Sequence, residues 1–415
     1  MKNLRATTLA KMGLILCSAL FLFSCSSDDN GDGGDSDVIN PPIVLDCAYF
    51  DENENIHLTD DPDAPVDYII TCDPKIADEL IIDAGVIIEF ENNAGLQFKS
   101  DVNAKIQMNG TADKPIILTG VQKDKGSWRG LLLTSNNPAN QMNHVTIEFA
   151  GQKRSGGWGL EGAVIGASKA VMKMDNCTFR HNAVFGLHWN GSSALDAGEL
   201  TLSNSTFTKN DIPIETSINH INTVDASSTY TGNDKDYISL TSLSAYQDIT
   251  FHKIDVPFLS VGIAPNNDAK RRFVFEPGVT LLMDAGSEIN FNNAFLYDHE
   301  IIMKGTADER ITIKGKEDAP GYWKGIKIKT NVNPLNEMAF VDIAHAGITS
   351  GYPNGAVRIE SPDVYLNMHD INFIDCFEYA VSIQNTSTNV SYNNLNLDNT
   401  PKMFSDWDGN EITNP

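Results

Sequence analysis

Asn176-Cys177-Thr178-Phe179-Arg180-His181-Asn182 and Asn204-Ser205-Thr206-Phe207-Thr208-Lys209-Asn210 are one pattern written twice. In each, two asparagines bracket a short run with a phenylalanine at its centre. Short apolar runs broken by turn formers read as strands, and their recurrence at a fixed spacing reads as a stack of repeated units. Working outward, Val86–Phe90, Leu96–Phe98, Ile116–Leu118, Leu131–Leu133 and Val145–Phe149 are runs of the same kind, separated by Gly, Asn and Asp. The local unit returns about every 24 to 32 residues, and long helical periodicity is absent. The expected fold is all-β: a parallel β-helix solenoid, each rung burying its apolar faces on its neighbours. Asparagines at the bends are expected to stack and hydrogen-bond along the axis.

A longer repeat lies over the short one. Gly110-Thr111-Ala112-Asp113 returns as Gly305-Thr306-Ala307-Asp308, and Trp128-Arg129-Gly130 as Trp323-Lys324-Gly325. Val145-Thr146-Ile147 answers Val341-Asp342-Ile343, and Met174 to Phe179 answers Met368 to Phe373. Residues 66–212 and 256–400 are therefore read as duplicated units. The connector keeps strand-like runs at Tyr237–Leu240 and Ile249–Ile254, so one continuous solenoid is expected rather than two domains on a linker.

The phrases DAGVIIEF (83–90), NGTADKPIILTG (109–120), GSWRGLLL (126–133) and MNHVTIEFAG (142–151) resemble the right-handed parallel β-helix proteins of the pectin-lyase-like superfamily. The likeness covers most of residues 66–400. It implies a right-handed solenoid and is weak for function, because that superfamily holds lyases, hydrolases, adhesins and proteins without activity.

The chain of 415 residues has 30 basic and 55 acidic side chains, a net charge of −25. Such a surface repels phosphate backbones, which argues against nucleic-acid binding. At the start, Lys2, Arg5 and Lys11 precede the apolar stretch Met12 to Phe23, too short to span a bilayer and read as a signal-peptide core. Leu22-Phe23-Ser24-Cys25 resembles the lipobox of bacterial lipoproteins. That resemblance implies cleavage after residue 24 and a lipid on Cys25. Residues 25–45 read as a flexible acidic tether, since SSDDNGDGGDSD (26–37) has no apolar residue to bury. An EF-hand reading of Asp28, Asn30, Asp32 and Gly33 fails at the twelfth position, which is Ile39. The tether resembles the start of surface-exposed lipoproteins of the Bacteroidetes group, which implies an outer-membrane, lipid-anchored, surface-displayed protein. Residues 46–79 are expected to form an N-terminal cap and 80–415 the β-helix.

The duplication supplies an internal control for candidate sites. Residues shared by both units, such as Trp128 and Trp323, serve the scaffold. His144, Glu148, Arg154, Trp158, Arg180, His181, His188 and Trp189 belong to the first unit alone. Lyases of the resembled superfamily need a basic residue to take the proton beside a uronate, and a calcium ion or cation to neutralise its carboxylate. Arg180 and His188 are suitable in type. Strand alternation points both outward and turns Trp189 inward. If Val145-Thr146-Ile147 stacks under Cys177-Thr178-Phe179, Glu148 lies under Arg180 and the two pair, so Arg180 is read as structural and no catalytic residue is assigned. In the loop Gln152–Gly159, Arg154 and Trp158 offer a cation and a ring that stacks on sugars. Arg154, Trp158 and His188 are the candidate ligand contacts. Cys47 and Cys72, outside the cytoplasm and before the first clear rung, are expected to form a disulfide. Cys177 and Cys376 are expected free and buried. No metal-ligand spacing, nucleophile elbow or phosphate loop is present, and no cofactor is implied.

These readings lead to a lipid-anchored surface β-helix that binds a glycan or another surface component. A polysaccharide lyase or other glycan-active enzyme is the second reading, and a structural or adhesive surface protein the third.

Overall fold

The computed structural model describes residues 39–415 apart from 77, 100–103, 155–160, 168, 191–198, 267, 293–297, 330–331, 350–352, 385–388 and 414–415. They belong to one compact unit, Ile39–Pro415. Among the described residues every pairing of one strand with another is parallel, and the strands stack into long sheets that share a single core. This is a parallel β-helix. The two copies of the opening pattern lie one rung apart, with Thr178 opposite Thr206, Phe179 opposite Phe207 and Arg180 opposite Thr208.

Alternation builds the rungs. Leu80 and Ile82 point inward with no exposure, while their strand neighbours Glu79, Ile81 and Asp83 stay partly open. Aromatic rings stack up the interior: Phe179 on Phe207 at 4.5 Å, Phe207 on Tyr230 at 5.6 Å, and Phe90 on Trp128 at 4.0 Å. At one bend, buried asparagines form the expected ladder. Asn182 Nδ2 donates to Asn210 Oδ1 at 2.9 Å, and Asn210 Nδ2 donates to Asn233 Oδ1 at 3.0 Å. Each bond satisfies a side-chain amide that water cannot reach. The scaffold tryptophans match: Trp128 Nε1 donates to the Glu148 carbonyl at 2.9 Å and Trp323 Nε1 to the Ala344 carbonyl at 2.8 Å.

The solenoid begins earlier than the sequence suggests. Within residues 46–79, Asn55–Leu58 pairs with Glu79–Asp83, Tyr68–Ile70 with Ile87–Phe90, and Lys75–Ile76 with Leu96–Phe98. The segment is thus not a separate cap. These strands are short and interrupted by Pro65 and Pro74, which hides their period. The capping element proper is the helix Cys47–Glu52, whose N-cap Asp46 accepts from the Tyr49 amide at 3.0 Å. Its Phe50 is buried on the core, and Cys47 is disulfide-bonded to Cys72 with the Cα atoms 5.9 Å apart.

The duplication is visible in the backbone. Residues in the left-handed region recur as pairs: His144 and Phe340 (φ 46° and 52°), Asn176 and Asp370 (53° and 56°), and Gly130 and Gly325 (79° and 93°). Gly130 and Gly325 also have no room for a Cβ, which would lie 2.3 Å from the Ala163 carbonyl oxygen and 2.2 Å from that of Ala356.

Two of the three faces of the units are nevertheless out of phase. Ile116–Gly120 belongs to the seven-stranded sheet, but its duplicate Ile311–Gly315 belongs to the long, sixteen-stranded one. Leu131–Leu133 lies in the long sheet and its duplicate Ile326–Lys329 in the five-stranded sheet. The long sheet runs unbroken through the connector, from Ile212–Thr216 through Ile238–Leu240 and Phe258–Ser260 to Thr280–Met283. On another side of the connector the helical turn Ile218–Thr223 stands in for a strand. That side leads through Ile249–Phe251 and Arg272–Phe275 to Glu300–Lys304, the duplicate of Lys105–Asn109, so the shift falls on the two later strands of each rung.

Candidate functional site

Outward side chains on the long sheet form a register row. Ile165 stands opposite His188, His188 opposite Glu215, and Glu215 opposite Ser239. Their neighbours Leu187, Trp189, Ile214, Ile238 and Leu240 are buried in the core and fix the rotation of each strand. Trp189 points inward, as the alternation requires.

His188 faces outward but is buried, at 5% exposure. Nδ1 lies 3.2 Å from the Glu161 carbonyl oxygen and 3.7 Å from Glu215 Oε1. A carbonyl can only accept, so the ring proton sits on Nδ1 and the Nε2 lone pair is left to accept. Burial holds His188 below the ordinary histidine range, with the Glu161 contacts opposing it. Burial also pushes the Glu215 carboxyl up, against a 3.2 Å hydrogen bond from Ser239 Oγ. The shifts run opposite to those of an ion pair, and 3.7 Å is too long for a hydrogen bond. His188 and Glu215 are therefore a neutral imidazole beside a carboxyl whose ionisation is discouraged. Glu161 is engaged by Lys153 Nζ at 2.8 Å.

Tyr237 lies two residues before Ser239, with the same outward parity, and is half-buried. Burial, then the carboxylates of Glu215 and Asp284, push its hydroxyl up. Lys316 Nζ stands 6.0 Å from the centre of its ring. The row thus continues from the first unit into the connector and meets side chains of the second.

Arg154 is drawn into an internal ion pair. Its guanidinium is buried against Asp73, and its Nη2 donates to the Gly130 carbonyl at 2.8 Å. Asp73 Oδ2 also accepts from Gln97 Nε2 at 2.9 Å and Arg129 Nη1 at 3.1 Å. The knot ties the chain after Gly151 to the residue following Cys72. Trp158 and Cys25 lie outside the described residues.

Arg180 stands on a different sheet from His188. Its Nε donates to Glu148 Oε2 at 2.7 Å, and Glu148 Oε1 accepts from Thr119 Oγ1 at 3.0 Å. The pairing inferred from stacking is present, and Arg180 is occupied. Cys177 and Cys376 are free and buried. Burial pushes the Cys177 thiol up to about 12 and that of Cys376 up to about 11, so neither is a nucleophile at neutral pH. Among the described residues, no three His, Cys, Asp or Glu side chains are grouped to hold a metal ion.

Sequence reasoning missed Glu215, Ser239 and Tyr237. The signal was there: Leu187-His188-Trp189 stacks on Ile214-Glu215-Thr216 and then on Ile238-Ser239-Leu240. Extending the same register one rung at a time brings the polar residues into line.

Residues 66–160 match the family described as a pectate-lyase like beta helix domain. No curated protein matches the chain, and no solved structure does.

Proposed function

We propose that this chain, a parallel β-helix carrying a pectate-lyase-like domain, is a lipid-anchored surface protein that binds a glycan on the outer side of its long sheet. The observation that carries the binding reading is the register row His188–Glu215–Ser239 with Tyr237 beside it. A rigid strand scaffold holds these polar groups in fixed spacing next to an aromatic ring, the combination that orients and stacks a sugar. The anchoring part rests on the basic, apolar, Cys25 order followed by an acidic tether.

A second reading, a polysaccharide lyase, draws on the neutral His188 with its Nε2 lone pair. Against it stands the state of Arg129, Arg154 and Arg180, each held by a carboxylate and none placed to neutralise a uronate. The full chain carrying Cys25→Ser, which lacks the lipid, is the reagent for both. A glycan array is expected to show binding, and the same preparation is expected to generate no unsaturated sugar product. Product formation lost in His188→Ala would move the assignment to the lyase. Fractionation of cells tests the anchor: wild type is expected with membranes and Cys25→Ser released or unprocessed.

A further inference from the structure

The class of sugar is written in the charges around Glu215, an inference that rests on the glycan-binding reading above. Most of the neighbouring cations are held by carboxylates. Lys153 is held by Glu161 at 2.8 Å, Arg129 and Arg154 by Asp73, and Lys314 faces Asp318 at 3.9 Å. Lys316 lies over the Tyr237 ring. Beside Tyr237 stand the carboxyls of Glu215 and Asp284, and the partly open Glu215 is in register with the buried His188.

Acceptors of this kind receive O–H donors. Tyr237, half-buried, sets an aromatic ring beside these carboxyls, the pairing that stacks the C–H face of a pyranose and receives the hydroxyls at its edge. A carboxylate on the ligand meets the opposite condition. It would approach Asp284 and the Glu215 carboxyl at a surface where burial already disfavours negative charge, on a chain of net charge −25. We propose that this surface takes an uncharged glycan, stacked on Tyr237 with its hydroxyls donated to Glu215, and discriminates against uronates. This preference is opposite to the uronate chemistry that the sequence resemblance suggests.

The test is calorimetry on the full chain carrying Cys25→Ser. The probes are oligosaccharides of matched length from neutral glucans, mannans, xylans and galactans, set against oligogalacturonides. At least one neutral probe is expected to bind about tenfold or more tighter than the oligogalacturonide, a difference of about 1.4 kcal/mol. Tyr237→Ala is expected to weaken the neutral probe about tenfold. Glu215→Gln, nearly isosteric and so safe for the fold, is expected to narrow the gap between neutral and acidic probes by removing the charge. The proposal is overturned if the oligogalacturonide binds as tightly as the best neutral probe. It is also overturned if neutral binding ignores both Tyr237→Ala and Glu215→Gln. If neither class of probe binds, the glycan-binding reading falls and this one falls with it.

Discussion

A guanidinium in a glycine-rich loop looks, in sequence, like a ligand contact. In the structure it meets Asp73, 81 residues earlier, which no local pattern ties to Arg154. Removing one partner of a buried ion pair leaves the other charged and dehydrated. Arg154→Ala is therefore expected to lower unfolding free energy by about 3 kcal/mol in chemical denaturation, with glycan affinity unchanged. His299 gives a pH counterpart. It is fully buried and its Nδ1 accepts from the Arg271 amide at 3.1 Å. Burial and then Arg271 lower it to about 4 from 6.5, with Asp298 opposing and Lys270 adding. A depressed histidine is neutral in the fold, so its contribution is fully present above about pH 6.5 and is lost as pH falls toward about 4. Stability measured across that window is expected to fall, and His299→Gln is expected to flatten the slope. If the slope is the same in the variant, His299 is not its source.

At the scale of the element, the asparagine ladder and its counterpart in the second unit make a paired comparison. Asn210 is fully buried, donates to the Phe179 carbonyl at 2.9 Å and accepts from the Asn182 amide at 3.2 Å. In the second unit the corresponding bend carries Cys376 and Thr400. The Cys376 amide donates to Thr400 Oγ1 at 3.0 Å, and that hydroxyl donates to the Phe373 carbonyl at 2.9 Å. One hydroxyl does with two bonds what the amide does with several. Asn210→Ala strands more buried groups and is expected to cost about 3 kcal/mol, against about 1 for Thr400→Ala, in matched denaturant titrations. The expected ladder was legible because asparagine closes successive copies of the same short pattern, at Asn182 and Asn210. Its thiol and hydroxyl replacement was not, since Cys and Thr share no pattern with Asn and only the bend geometry equates them. The N-terminal element behaves similarly. The disulfide closes a loop of 25 residues, so its reduction is expected to lower stability by about 3 kcal/mol through loop-closure entropy. Non-reduced peptide mapping should show the 47–72 link.

For the whole molecule, the fold was legible because a solenoid repeats its own instructions: one strand, bend and strand, read once, applies to every rung. Stacking, read from the sequence alone, also places Glu148 under Arg180. The site was legible only in part. His188 stands out as a histidine that the second unit lacks, but Glu215, Ser239 and Tyr237 belong to rungs at the edge of the duplicated unit. There the internal comparison has nothing to compare. The first rungs were obscured for a related reason, their strands being two to four residues long and broken by prolines.

The offset between the units, on two of their three faces, bears on how the molecule can hold a polymer. Two identical grips in line would let one chain engage both, the second at high effective concentration, and avidity would follow. Here the duplicate of the strand Leu131–Leu133 has moved off the long sheet altogether. A polymer lying straight along the axis therefore passes the site at Glu215 once and then runs over a surface descended from a different side. On the proposed binding, duplication gives reach without valency. Titration with a long neutral glycan should accordingly saturate at one protein-side site, with an affinity that stops rising once the oligomer covers the rungs from His188 to Tyr237.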